Sequence, residues 1–152
     1  MKAKPVLGLI SMMLWHVPSA EAAFKGCYER IYDKRYLIQH GKQEIIKIRL
    51  QLGVGKGLEG PFELLDRVDA GFRKRSIYQG NLVECKSAGD ELKCFIENDG
   101  GSFTVTDRGD DSLRIRNDRS MNFGDDEGKF TVESKGEHRE FRLYRVSKSA
   151  CP

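Results

Sequence analysis

The chain has 152 residues, 32% of them charged and 39% hydrophobic, with a formal net charge of +3. This is the length of one domain. Positive and negative residues are interspersed, which argues against nucleic acid as a partner, since that calls for a clustered basic face.

The N-terminus reads as an export signal. Lys2 and Lys4 form a short positive segment, Val6 to Val17 is mostly apolar, Pro18 breaks any helix, and Ala20-Glu21-Ala22 places small residues at a cleavage site. The apolar stretch is about 12 residues, short of the roughly 20 that a membrane-spanning helix needs. Later apolar runs are cut by charges, so no transmembrane segment is expected. The expected organisation is a signal peptide over 1–22 and a single domain over 23–152, periplasmic or secreted. Loss of Lys2, Lys4 and Glu21 leaves 24 basic against 22 acidic side chains in 130 residues.

Export changes the meaning of the cysteines. In an oxidising compartment Cys27, Cys85, Cys94 and Cys151 become disulfide partners. Four cysteines allow three pairings, and the local sequence favours one. Gly89-Asp90 suits a two-residue II′ turn, which sets Cys85 across from Cys94. Cys27 and Cys151, near the two ends, then pair with each other. That bond requires the first and last strands to be neighbours, as in a closed barrel.

Between the cysteines the pattern is mostly β. Asp33 caps a short helix over 33–40, with Gly41 beyond it. Residues 44–52 alternate strictly, with Ile46, Ile48, Leu50 and Leu52 apolar, and read as a half-buried strand. Further strands are expected at 62–67, 72–79, 82–86, 92–97, 103–107, 113–116, 130–133 and 139–146. Most are separated by Gly, Asn or Asp turns, with Gly80-Asn81 as one of them. The loops 53–61 and 118–129 are the expected variable edges. The fold class is all-β and mainly antiparallel: a small barrel or barrel-like sandwich of about eight strands with one short N-terminal helix.

No catalytic motif withstands its context. Gly55-Lys56-Gly57-Leu58-Glu59-Gly60 has dinucleotide-loop spacing, but the strand before it alternates and Pro61 would fall inside the required helix. Arg108-Gly109-Asp110 spells an adhesion tripeptide and reads as a solvated turn. Glu97, Asp99, Asp107, Asp110 and Asp111 cluster along the sequence and are the candidates for a carboxylate-based hydrolase or lyase, with His40 or His138 assisting. No metal-ligand spacing or cofactor motif is present. Lys47, Arg49, Arg114, Arg116 and Arg142 occupy outward positions of three strands; if those strands are adjacent, they form a basic face for an anionic glycan, a lipid or an acidic protein.

At Cys27-Tyr28-Glu29-Arg30-Ile31-Tyr32-Asp33, Cys94-Phe95-Ile96-Glu97-Asn98-Asp99-Gly100-Gly101 and Phe141-Arg142-Leu143-Tyr144-Arg145-Val146, the chain resembles a group of uncharacterised exported proteins of Gram-negative bacteria. The resemblance implies export and carries no site residue. More loosely, the plan is similar to the small periplasmic β-barrels that inhibit lysozyme, which are exported, disulfide-bearing and of this size. Their serine-rich inhibitory loop has no counterpart here; the glycine-rich stretch 53–60 is the nearest. The expected function is non-enzymatic binding in the cell envelope, of a small ligand in the barrel mouth or of a glycan or protein on the basic face.

Overall fold

The computed structural model describes residues 24–53, 66–125 and 128–151, without the side chains of 75–79 and 125. The proposed signal segment, the glycine-rich loop 54–61 and the start of the strand expected at 62–67 lie outside the described residues.

Nine strands run β1 (Gly26–Ile31), β2 (Ile45–Leu52), β3 (Asp66–Phe72), β4 (Arg75–Ala88), β5 (Glu91–Ile96), β6 (Gly101–Asp107), β7 (Ser112–Asp125), β8 (Gly128–Glu133) and β9 (Glu140–Val146), with helix α1 (Lys34–Gln39) between β1 and β2. Each strand pairs antiparallel with its neighbours. The order β6-β5-β4-β3-β2-β1-β9-β7 closes on itself through β6–β7, giving an eight-stranded barrel, and β8 is added to the far half of β7.

The alternation of β2 from Ile48 onward sets the barrel's inside and outside; an irregularity between Ile45 and Lys47 leaves Ile45, not the expected Ile46, fully buried. Ile48 and Leu50 are fully buried, as are Val68 and Ala70 of β3, Val105 of β6, Ile115 of β7 and Leu143 of β9, and Tyr28 fills the space beside β1. The described interior is packed with side chains, and a cavity of about 600 Å³ lies beside β8, lined among others by Lys42, Glu44, Thr131, Glu133 and His138.

Both disulfides form with the expected pairing. Cys85 stands directly opposite Cys94 in the β4–β5 register, with Cα atoms 4.1 Å apart. Gly89 holds a φ of +69° in the connecting turn, which a side chain would resist. Cys27 and Cys151 are joined at a Cα separation of 6.0 Å, on the seam where β1 pairs β9 over three residues.

Besides β3, which runs unbroken over Asp66–Phe72 across the break expected between 67 and 72, the strand boundaries depart from expectation in two places. Gly80-Asn81 is not a turn. The turn lies at Arg73-Lys74, and β4 runs through Gly80, which faces Asp69 of β3. A Cβ at Gly80 would lie 1.9 Å from Asp69 Oδ1 and 2.2 Å from the Arg67 guanidinium, so the missing side chain makes room for the Arg67–Asp69 pair. Second, 118–129 is not a loop edge. β7 continues past Asn117 to Asp125 and turns back as β8. Asn117 donates through Nδ2 to the Val132 carbonyl at 2.9 Å, tying the bend in β7 to β8. Phe123 and Phe130 of this hairpin pack on Phe72, with ring centroids 5.7 and 4.5 Å away. The hairpin thus plugs one end of the barrel.

Helix α1 forms where expected. Asp33 Oδ1 accepts the Tyr36 N–H at 2.7 Å. Its far end is closed by Arg73, which donates to the carbonyls of Leu37, His40 and Gln43.

Candidate functional site: the outer face of β7 and β9

The five expected cations all lie on the outside of the barrel but do not form one stripe. β7 and β9 are adjacent, whereas β2 is separated from β9 by β1.

On the β2 side the positive charge is matched. The register places Arg49 between Glu29 of β1 and Asp69 of β3. Arg49 donates to Glu29 Oε2 from Nε at 2.8 Å and from NH2 at 2.6 Å, and Lys47 Nζ lies 3.1 Å from the same oxygen. These side chains are mostly covered. Glu29 is 11% and Arg49 13% exposed, so screening by water is limited and the cluster acts as a structural brace.

On the β7–β9 side the matching is incomplete. Arg114 stands between Arg142 of β9 and Thr106 of β6, with no carboxylate on either flank. Its Nε is buried and has no hydrogen-bond partner among the described residues. Arg142 is engaged: its Nε donates to Ser112 Oγ at 3.2 Å and its NH2 contacts Asp110. Asp110 is held below the usual carboxylate range, first by the hydrogen bond from Ser112 and then by Arg142. Arg116 is paired with Asp118 at 3.0 Å, which raises its already high pKa.

A groove of about 330 Å³ opens over this face, lined by Arg108, Arg114, Glu140, Phe141 and Arg142. Arg108 reaches it from the β6–β7 turn, where the exposed Arg-Gly-Asp tripeptide sits. Next to the groove Tyr144 is 41% exposed, with the Arg142 guanidinium 5.4 Å and the Arg30 guanidinium 5.5 Å from its ring centre. The site is therefore a shallow basic groove with an aromatic ring at its side.

The candidate carboxylates do not gather. Glu97 and Asp99 lie in the β5–β6 turn, while Asp107, Asp110 and Asp111 lie at the other end of β6. A strand of seven residues holds the two groups roughly 20 Å apart at the usual rise per residue, too far for acid–base work on one bond. The histidines belong to a different cluster at the plugged end. His40 Nδ1 lies 2.6 Å from Glu137 Oε1 and stacks on Tyr36 at 4.0 Å. His138 Nε2 accepts the Glu44 N–H at 3.1 Å, so its ring is held neutral; burial lowers its pKa, against the opposing pull of Glu44 and Glu137. Among the described residues no three His, Cys, Asp or Glu side chains converge as a metal site.

Sequence reasoning missed Glu29, which pairs with two of the five expected cations, and Arg108 and Glu140, which line the groove. Glu29 had a signal: it alternates outward in the segment beginning at Cys27, and that segment had to neighbour the last strand if Cys27 pairs with Cys151. Comparison with known protein families, with curated proteins and with solved structures gives no match.

Proposed function

We propose that this chain is a non-enzymatic binding domain of the cell envelope that recognises an anionic group, in the first instance of an acidic glycan, on the outer face of β7 and β9. The observation that carries this reading is Arg114. A buried N–H left without an acceptor costs on the order of 1–3 kcal/mol, and a turn of the guanidinium toward an oxyanion in the groove would remove that cost. A guanidinium offers parallel donors that match the two oxygens of a carboxylate, sulfate or phosphate. The exposed ring of Tyr144 beside Arg142 supplies the apolar surface against which a sugar ring packs. Export is supported by the two disulfides, which persist in oxidising compartments. Among the described residues, no helix is long and apolar enough to cross a membrane.

The test is salt-gradient elution from immobilised heparin, as a sulfated glycan probe, for the parent protein and for Arg114→Met and Arg49→Met variants. Arg114→Met is expected to elute at clearly lower salt and Arg49→Met near the parent. Equal elution of the parent and Arg114→Met would reject the reading.

A further inference from the structure

The barrel has no free edge, but the added strand does. β8 is the one described strand with a single neighbour. Its hydrogen-bond phase follows from the Ser134 N–H, which donates to the Arg119 carbonyl at 3.2 Å. Even-numbered residues of β8 thus turn their backbone groups toward β7, and Lys129, Thr131 and Glu133 turn theirs away. The outward carbonyl of Glu133 takes the Lys135 N–H at 2.8 Å, and its carboxylate contacts Lys135 Nζ on the same chain; among the described residues the N–H and C=O of Lys129 and Thr131 have no backbone partner on that side. The side chains of these three residues are exposed, whereas Val132 is buried.

The edge sequence Lys129-Phe130-Thr131-Val132-Glu133 is complementary to itself when reversed. Centred on Thr131, an antiparallel pairing sets Lys129 against Glu133, Phe130 against Val132, and Thr131 against Thr131. Opposite charges, an aromatic with a β-branched residue, and paired threonines are each favourable cross-strand neighbours. A charge on an edge strand ordinarily serves to repel a second edge. That purpose is met by like signs at mirrored positions, and here the signs are opposite.

We infer that β8 pairs with β8 of a second copy of this chain about a two-fold axis at Thr131, joining two barrels through one continuous antiparallel ribbon. The occupant is a second copy because the charges complement this same segment, and an interface that maps onto itself is what a two-fold dimer requires. Three paired edge residues bury far less than the roughly 1,600 Å² of a standard stable interface, so the dimer forms at high protein concentration and dissociates on dilution. It presents two β7–β9 faces on one particle, though the inference stands independently of what those faces bind.

The test is sedimentation velocity on the purified, disulfide-bonded protein from about 1 to 500 µM, the upper range being where weak interfaces assemble. The parent shifts from monomer to dimer across that range. Lys129→Glu and Glu133→Lys each set like charges opposite one another and remain monomeric. Their equimolar mixture places Glu against Lys at both positions and restores the dimer, which also shows that neither variant is misfolded. Hydrogen exchange at the Thr131 amide slows in the dimer. A parent that is monomeric at 500 µM, a Lys129→Glu variant that dimerises like the parent, a mixture that stays monomeric, or a dimer with unchanged Thr131 exchange would each overturn the inference.

Discussion

Arg49 and Arg114 occupy equivalent positions on two sides of the same barrel, and their neighbours decide what each can do. Arg49 faces a glutamate on one side and an aspartate on the other, and Arg114 faces an arginine and a threonine. The first is an ionic brace in which Nε and one terminal nitrogen of the guanidinium are aimed at a carboxylate. The second is a cation with a buried donor left over. An outward Lys or Arg in an alternating strand is therefore uninformative by itself. Its meaning is set by the two residues that the register places across from it.

The largest effect expected bears on the seam that holds the two sides together. Replacing Cys27 and Cys151 by serine frees a loop spanning a separation of 124 residues and is expected to cost about 5 kcal/mol in the chain-entropy picture. Urea unfolding measures this. The Cys85→Ser/Cys94→Ser variant, which opens a hairpin spanning a separation of only 9, should lose about 2.7 kcal/mol. Equal losses would mean that the β1–β9 seam is not the weak point of the closure.

Next comes the brace. Glu29→Gln leaves Lys47 and Arg49 covered without their shared carboxylate. It should lower stability by about 2 kcal/mol, below the range for fully buried pairs because some water reaches the cluster. Arg114→Met should do the opposite on the other side. It removes an unsatisfied donor, keeps the apolar stem, and leaves stability unchanged or higher by up to about 1 kcal/mol. If both variants lose the same stability, the contrast between the two sides fails.

The smallest effect is a pH dependence remote from either face. Burial lowers the pKa of His138 below its ordinary 6.5, so the folded state disfavours the imidazolium. The stabilisation is complete above pH 6.5 and declines as the pH falls below it toward the folded value. His138→Gln should flatten the thermal-stability profile between pH 7 and pH 5. Heparin elution at constant salt should change little, because His138 meets the groove only through the ring of Phe141, 6.5 Å away, and touches none of its cations.

Much of the architecture was legible. The Gly89-Asp90 turn fixed the β4–β5 register, and with it the Cys85–Cys94 bond and, by elimination, the Cys27–Cys151 closure of a barrel. What stayed hidden were features set by distant partners. Gly80-Asn81 looks like a turn locally, yet Gly80 serves the Arg67–Asp69 pair on the next strand. The Asn117-Asp118 pair also looks like a stop, yet the Asn117 side chain stitches β7 to β8 and lets the strand bend onward. The site was half legible for the same reason. Alternation placed all five cations outside, but only the strand order could show that Glu29 lies among two of them and that Arg114 is left beside Arg142.

The contrast between Arg49 and Arg114 is tested most directly by following arginine side-chain Nε–H resonances during titration with inorganic sulfate at constant ionic strength. The Arg114 signal should shift and saturate while the Arg49 signal, already bound to Glu29, stays in place. A titration in which Arg114 remains as still as Arg49, or in which both drift together without saturation, would contradict the account.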